Sequence, residues 1–353
     1  MSFTVFRDYS YSTFLEMIEY SDVIVDLQAG DTGKGKVAHA LCKDGGYTHV
    51  VRYNGGGNAG HTIYHEGKKF VTHFIPCGIL YGIKSIIGLG CVVDEKKLEK
   101  EIEDLKRFLT PGHLKHLYID HRAHIILPSY VEEDSRDDKI GTTKTGNGPA
   151  YREKYNRTGV RAIDHFKNNW ADLLIDSYSE FHGETPVRIL FEGAQGFELD
   201  VDWGDYPYVT SSHCTVGSAI LNGVPPNKIR KIYGVAKAYR TYVGNKNFEG
   251  NDEIFSKIRT IGEEYGATTG RPRQVNWLDL NMLIKAININ GVTNLIINKL
   301  DVLNDVNRHS LYHNNQLIDF INDDGYIRYI KGIVNKQCPT VQNIKFSLTP
   351  YDI

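Results

Sequence analysis

Short runs of apolar, often β-branched residues recur along the chain and alternate with segments of a different periodicity. Uninterrupted runs of this kind predict strands that are buried on both faces of a sheet. The runs are DVIVDL, HVVRY, SIIGLG, LYIDHRAHIIL, RILFEG, KIYGVAKAY and NLIINKLD. Segments 95–109 and 277–288 are predicted helices, and the apolar residues on one face of the first are Leu98, Ile102, Leu105 and Leu109. The alternation predicts an α/β fold with a large, mostly parallel central sheet flanked by helices, plus insertions.

Composition and charge narrow the class of protein. The chain has 353 residues, of which 41% are hydrophobic and 24% charged, so it can bury a sizeable core. A net charge of −2 gives no general attraction to nucleic acid or to an anionic membrane. The five cysteines form no C-x-x-C pair, which argues against disulfides and cysteine zinc sites and is typical of a reducing compartment.

The N-terminal residues lack the basic start and apolar run of a signal peptide, and no stretch approaches ~18 uninterrupted apolar residues. We therefore expect a cytoplasmic protein (in the host cytoplasm if it is viral) with no nucleic-acid or membrane partner. No linker interrupts the pattern, so we expect a single domain over residues 1–353, with residues 1–20 as an N-terminal extension.

The segment LQAGDTGKGKVAHAL, residues 27–41, has the order strand, glycine-rich turn and helix. This order aims backbone N–H groups and a helix N-terminus at an anion. Gly30, Gly35 and Lys36 match the phosphate-loop pattern G-x-x-x-x-G-K-[ST], but Val37 follows and has no hydroxyl for a metal ion. A solvated turn is the alternative; we favour an anion-binding loop in which Asp31 supplies the missing oxygen ligand to Mg²⁺.

Five further segments carry polar side chains next to glycines or strand ends. They are RYNGGGNAGHT, with an amide and a histidine; IGTTKTGNGPAYREKYNRTG, with hydroxyls and cations; FEGAQGFELDVDWGDYPYVTSSHCT, with an amide and hydroxyls; GATTGRPRQVNW, with two arginines; and NKLD. A pair of guanidinium groups suits a carboxylate, and a carboxylate after a strand can accept the N–H groups of guanine. Each segment alone also fits an ordinary surface loop.

Taken together and in this order, the segments resemble the adenylosuccinate synthetase family. The matching elements are QAGDTGKGK, VVRYNGGGNAGHT, IGTTKTGNGPAY, FEGAQG, YPYVTSS, KAYRTYVG, GATTGRPR and NKLDVLN, between about residue 22 and about residue 305. The resemblance implies a P-loop-like, GTPase-related fold. It also implies a ligase that joins L-aspartate to IMP at the expense of GTP, with Mg²⁺. The γ-phosphoryl group passes to O6 of the purine and the aspartate amine displaces it from C6, because a carbonyl oxygen is a poor leaving group.

The resemblance also implies a role for individual residues. Asp31 would take the N1 proton of the purine and bind Mg²⁺ together with the backbone carbonyl of Gly60, and His61 would act as acid at O6. The residues implied for GTP are Gly30, Gly33, Lys34 (also catalytic), Gly35, Lys36, Lys299 and Asp301. Those implied for the IMP side, besides Asp31, are Asn58, Thr143, Arg157, Gln195, Thr210, Val243 and Arg271. Those implied for L-aspartate are Thr268, Thr269, Arg271 and Arg273. Arg157 would reach the neighbouring subunit, which implies a homodimer.

The chain departs from the family pattern W-G-D-E-G-K-G-K at two positions, with Ala29 for tryptophan and Thr32 for glutamate, and it is shorter than common members. A phage branch, 2-aminoadenylosuccinate synthetase, uses dGMP and often has G-S-T-G-K-G at this loop. Asp31 favours IMP, whereas Thr32, Ala29 and the short chain leave dGMP open. A non-catalytic GTP-binding protein is disfavoured because Asp31 and His61 are both present, and a generic P-loop NTPase is disfavoured by Val37.

Overall fold

The computed structural model describes residues 17–266 and 270–349, apart from the side chains of residues 168 and 169. The strands in this part of the chain are β1 Ile18–Asp26, β2 His49–Arg52, β3 His61–His65, β4 Lys68–Thr72, β5 Lys84–Ile87, β6 Val92–Val93, β7 Leu117–Asp120, β8 His124–Ile125, β9 Leu174–Ile175, β10 Val187–Glu192, β11 Ile229–Lys237, β12 Tyr239–Tyr242, β13 Gln274–Asp279, β14 Asn294–Asn298, β15 His309–His313, β16 Gln316–Phe320 and β17 Asn343–Phe346.

The α-helices in the same residues are α1 Lys34–Asp44, α2 Glu95–Lys106, α3 Pro111–Leu114, α4 Pro128–Ser135, α5 Asn147–Asn156, α6 Ala162–His165, α7 Ser177–Phe181, α8 Gly217–Ile220, α9 Ile254–Ile261, α10 Leu280–Asn290, α11 Leu300–Asp305 and α12 Asp323–Gln337. Short 3₁₀ turns lie at Cys77–Tyr81, Asn168–Leu173, Phe197–Leu199 and Pro226–Lys228. None of the described helices is long and apolar enough to cross a membrane.

A nine-stranded sheet forms the centre of the fold, in the order β17-β14-β11-β1-β10-β2-β5-β7-β9. Every neighbouring pair in this sheet is parallel. The last six residues of β1 are all buried, as expected for a strand covered on both faces. The predicted α/β fold with a large, mostly parallel sheet is therefore confirmed.

Two large apolar clusters pack on the central sheet, one of them built mainly from α10, α11 and α12 and the other from α1, α2 and the chain around Phe74. A four-stranded sheet, in the order β12-β13-β15-β16, and the hairpin β3–β4 flank the central sheet. Because the strands of the central sheet are parallel, their carboxyl ends meet at one edge, where the glycine-rich segments follow β1, β2 and β10.

The helix predictions are confirmed with shorter bounds. Helix α2 buries Leu98 and Leu105 but ends at Lys106, so Leu109 packs on the core from beyond the helix. The second predicted helix begins at Leu280, because residues 277–279 pair as the end of β13. Residues 18–20 of the expected N-terminal extension are the start of β1 in the central sheet.

Candidate active site

One cavity of about 1240 Å³ lies at the carboxyl ends of the central strands. Sixteen of the residues singled out in the sequence line it: Gly30, Asp31, Gly33, Lys34, Gly35, Lys36, Asn58, Gly60, His61, Thr143, Gln195, Thr210, Val243, Arg273, Lys299 and Asp301. Arg157 and Arg271 are not among the described lining residues. Thr268 and Thr269 lie outside the described residues. The structure thus brings together segments that are up to about 270 positions apart in sequence.

The phosphate loop enters α1 through Gly33, which has a φ of 101°. A side chain at this position would be strained, and its Cβ would lie 2.7 Å from the side-chain nitrogen of Asn298. That nitrogen donates a hydrogen bond to the carbonyl of Thr32, at 2.7 Å. The N-terminal turn of α1, with Lys34 and Lys36, is thereby fixed at the cavity wall against the end of β14, where the backbone N–H groups of a helix start suit an anion.

A buried carboxylate that sequence reasoning missed, Asp26 at the end of β1, lies beneath this loop. Its Oδ2 accepts hydrogen bonds from the hydroxyl of Thr32 at 2.6 Å and from the ammonium of Lys34 at 2.8 Å. Lys34 also donates to the carbonyl of Gln195 at 2.7 Å. The Thr32 hydroxyl therefore serves the loop itself, since Thr32 is 1% exposed and its oxygen is committed to Asp26.

Asp31 lies on the cavity side of the loop in a left-handed conformation, with a φ of 55°. Its Oδ2 accepts a hydrogen bond at 2.7 Å from Nη2 of Arg273, a residue 242 positions away in sequence, and its side chain is 33% exposed. The expected proton acceptor and the expected aspartate-binding guanidinium are therefore neighbours. A carboxylate that faces a cavity is also the kind of hard oxygen ligand that Mg²⁺ takes, and Gly60 lines the same cavity.

Behind Arg273 lies a buried polar cluster that the sequence did not reveal. The carboxylate of Glu264 accepts hydrogen bonds from Nη1 of Arg273, from the hydroxyl of Tyr239 at 2.6 Å and from Nζ of Lys237 at 3.0 and 3.1 Å. Burial lowers the pKa of Lys237 to about 8, although Glu264 opposes the shift. Burial would raise the pKa of Glu264, but Lys237 and Arg273 bring it down to about 2.

His61, at the start of β3, is held from two sides. Its Nδ1 lies 2.5 Å from Oε1 of Glu192, a carboxylate that can only accept, so Nδ1 donates; Nη1 of Arg52 lies 2.9 Å from Nε2 and 3.0 Å from Nδ1. Burial and the charge of Arg52 lower the pKa of His61 to about 4, so the ring is neutral at pH 7 in the free protein. Glu192 stays ionised: burial would raise its pKa, but Arg52 and the bond to His61 lower it to about 2.

Side-chain amides form the next part of the wall. Oδ1 of Asn58 accepts hydrogen bonds from Asn147 at 2.7 Å and from Gln195 at 2.8 Å. The other amide atom of Gln195, Oε1, is buried and has no hydrogen-bond partner among the described residues. A buried polar atom that lacks a hydrogen-bond partner beside a cavity indicates that a bound ligand supplies the partner. Thr143, whose hydroxyl lies 3.0 Å from that of Thr145, completes this side.

The far end of the cavity is formed by the loop after β14. Lys299 has a φ of 66° and donates to the carbonyl of Gly262 at 2.9 Å, and Asp301 lies in the first turn of α11. Lys36 reaches the C-terminal segment, where its ammonium donates to the hydroxyl of Ser347 at 2.6 Å and to the carbonyl of Thr349 at 3.1 Å. The phosphate loop and the expected guanine residues are thus adjoining parts of one wall.

The two predicted arginines away from the cavity have different positions. Arg157 follows the end of α5 and is exposed. Arg271 donates to the carbonyls of Gly141 and Thr142, each at 3.2 Å, and so fastens one segment of the cavity wall.

A nine-stranded parallel sheet with an anion-binding loop and buried acid–base groups at one edge defines a nucleotide-dependent α/β enzyme. The family model described as adenylosuccinate synthetase matches residues 23–185 and 173–313. Adenylosuccinate synthetases of Caldanaerobacter subterraneus and Brevibacillus brevis are 40% and 41% identical to this chain. Each comparison covers 80% of this chain and 78% of the relative. The chain belongs to the adenylosuccinate synthetase family and is accordingly a ligase that forms C–N bonds.

Solved structures agree with this placement. The fully ligated adenylosuccinate synthetase of Plasmodium falciparum is 29% identical and superposes with a TM-score of 0.82, over 94% of this chain and 98% of the other. The succinoaminodeoxyadenylate synthetase of cyanophage S-2L, solved with dGMP and with dATP as an energy donor, is 22% identical with a TM-score of 0.73, over 94% and 93% of the two chains. At that identity the phage structure supports the fold alone.

Proposed function

We propose that this chain joins L-aspartate to C6 of IMP, using GTP and Mg²⁺, and releases adenylosuccinate, GDP and phosphate. The observation that carries the proposal is the 2.7 Å contact between Asp31 and Arg273 inside the cavity. It puts a carboxylate able to take the N1 proton beside a guanidinium able to hold the carboxylate of the incoming amino acid. Both groups are needed at one edge of one purine ring.

The chemistry assigned to these side chains balances. Asp31 accepts the N1 proton of IMP, and O6 then bonds to the γ-phosphorus of GTP as the bond to GDP breaks. The amine of L-aspartate then attacks C6, the C6–O6 bond breaks so that phosphate leaves with the former O6, and the amine nitrogen gives up one proton to the leaving phosphate. Asp31 and Gly60 would hold the Mg²⁺, which shields the charge of the nucleotide phosphates when it is bound.

His61 is proposed to stabilise the oxygen that becomes negative at C6. Glu192 orients the ring by accepting Nδ1–H, and Arg52 contributes a positive charge next to Nε2. The negative charge of bound nucleotides would favour the protonated ring, in which Nε2 donates and the N–H of Arg52 has to move away from it.

The remaining residues are assigned to the three substrates. The N-terminal turn of α1, with Gly30, Gly33, Lys34, Gly35 and Lys36, would bind the GTP phosphates. The IMP side would be held by Asn58, Thr143, Gln195 and Thr210, with Val243 and Arg271 towards the ribose. L-aspartate would be held by Arg273 and Arg271 with Thr268 and Thr269.

The alternative purine is dGMP, because a carboxylate at position 31 could also accept from the 2-amino group of guanine. Thr32 is one of the sequence features that leave dGMP open, together with Ala29 and the short chain. Its hydroxyl is bound to Asp26 at 2.6 Å beneath the loop, so this residue carries little information about the purine. Asp31, on the cavity side, keeps IMP as the favoured substrate.

The proposal is tested by supplying GTP, Mg²⁺ and L-aspartate with either IMP or dGMP and identifying the succinylated nucleotide by mass. We expect adenylosuccinate from IMP. Product from dGMP alone would replace IMP by dGMP as the substrate. Absence of product from both would refute the synthetase proposal and revive the non-catalytic GTP-binding protein.

The assignment of Asp301 to guanine gives a separate prediction. Asp301→Asn should lower the preference for GTP over ATP by roughly 10- to 100-fold in kcat/KM, because the carboxylate that pairs with two N–H groups is lost. The ratio of kcat/KM values for the two nucleotides at saturating IMP measures it. Unchanged discrimination would remove Asp301 from the guanine site.

The assignment of Arg157 to the neighbouring subunit predicts complementation. Arg157→Leu and Asp31→Asn should each be nearly inactive alone, whereas mixed dimers should carry one complete site. After unfolding and refolding together in equal amounts, we expect about a quarter of wild-type activity, since half of the dimers are mixed. Refolded Arg157→Leu alone is the control. Activity that stays at the level of the separate variants would contradict a shared site.

A further inference from the structure

We infer that Glu264 is a positioning residue for the amino-acid substrate: its buried carboxylate holds one arm of Arg273 so that the other arm faces the cavity. The inference rests on the proposed function, in which Arg273 binds L-aspartate. It adds a residue that does not itself touch the substrate.

Glu264 lies at the centre of four hydrogen bonds. It is fully buried and accepts from Nη1 of Arg273, from Lys237 twice and from the hydroxyl of Tyr239. Its own carbonyl accepts from the backbone N–H of Arg273 at 3.0 Å, so backbone and side chain align the same pair. Arg273 is thus held on this side by its backbone N–H and by one guanidinium nitrogen, so its other guanidinium arm can point in a fixed direction.

The two arms of Arg273 have partners with different exposure. The side chain of Glu264 is 1% exposed, whereas that of Asp31, on the other arm, is 33% exposed and faces the cavity. An entering carboxylate meets Asp31 first, so it would take over the Nη2 arm and leave Nη1 with Glu264. Glu264 thus remains the anchor while the ligand changes.

The charges of the cluster explain why the anchor has to be ionised. Lys237 and Arg273 are both buried beside Glu264, and removing its negative charge would leave these two neighbouring cations with Asp31, which is 33% exposed, as a weaker counter-charge. Their repulsion would turn Arg273 away from its position. Tyr239 fixes the carboxylate from another side without adding charge.

The test is the steady-state kinetics of Glu264→Gln in the full-length protein. We expect KM for L-aspartate to rise roughly 10- to 100-fold, with KM for IMP and GTP within about twofold of wild type. Glu264→Asp, which keeps the charge, should recover part of the loss. Glu180→Gln is the matched control. The carboxylate of Glu180 accepts from His49 and Lys84, which begin β2 and β5 at the end of the sheet away from the cavity, so its loss should leave KM for L-aspartate unchanged.

A purely structural role would raise all three KM values together or lower the amount of folded protein without a selective effect. If Glu264→Gln does not fold, Tyr239→Phe provides the test, since it removes one hydrogen bond to the carboxylate and no charge; we expect a selective rise in KM for L-aspartate of roughly two- to fivefold. A folded variant with unchanged KM for L-aspartate, or with equal rises for all substrates, overturns the inference. Wild-type protein without turnover would refute the proposed function itself, so the two failures are distinguishable.

Discussion

Asp31→Asn is expected to lower kcat by roughly 10³-fold while nucleotide affinity changes little, because the amide cannot accept the N1 proton. The change is nearly isosteric, and the amide oxygen can still accept from Arg273, so the cavity keeps its shape. Single-turnover formation of adenylosuccinate measures the rate. Calorimetric titration with IMP measures the affinity.

Asp137→Asn is the matched control for this variant, since it makes the same chemical change at a residue of the cavity wall that has no assigned role. At saturating GTP it should retain kcat close to wild type. If Asp31→Asn instead kept a rate within a few fold of wild type, neither the base nor the metal ligand could be Asp31.

His61→Asn is expected to lower kcat by roughly 10²- to 10³-fold, the usual loss when one group that stabilises a developing oxyanion is removed. KM for IMP should change far less, since the interaction strengthens in the transition state. The rate of adenylosuccinate formation at saturating substrates measures the effect.

Glu192→Gln separates orientation from chemistry, because the amide can still accept Nδ1–H of His61 but no longer carries the charge that balances Arg52. We expect a smaller loss than for His61→Asn. If His61→Asn is nearly as active as wild type while Glu192→Gln loses activity, the acid is not His61.

The parts of the site that were predicted from the sequence are local in the chain. A run such as DVIVDL followed by GDTGKGK encodes strand, turn and helix within fifteen residues, and the resulting loop lies where it was expected. The unbroken apolar runs also predicted the parallel sheet, because strands buried on both faces carry apolar residues at successive positions.

Several of the residues that sequence reasoning missed are charged groups at the carboxyl ends of those same runs. Four strands of the central sheet end in such a residue: Asp26, Arg52, Glu192 and Lys237. Their partners lie on other strands, on loops and at the start of α1. A charge inside an apolar run is a signal in itself, because a buried charge must be paired. The identity of the partner is set by the three-dimensional fold, as the 242 positions between Asp31 and Arg273 illustrate.

Thr32 has a structural role that its position in the sequence pattern did not reveal. Thr32 matches the threonine of the phage loop pattern, so the sequence left dGMP open as the substrate. In the fold its hydroxyl and the ammonium of Lys34 share the carboxylate of Asp26. The threonine is explained by the support of the loop, and the choice of purine depends on groups that face the cavity.

The most direct test of the central claim follows the oxygen that leaves C6. IMP labelled with a heavy oxygen isotope at O6 is converted with GTP and L-aspartate, and the phosphate released is analysed by mass. We expect one labelled oxygen in the phosphate for each adenylosuccinate formed, because the γ-phosphoryl group bonds to O6 before the amine displaces it. Unlabelled phosphate alongside adenylosuccinate would contradict it.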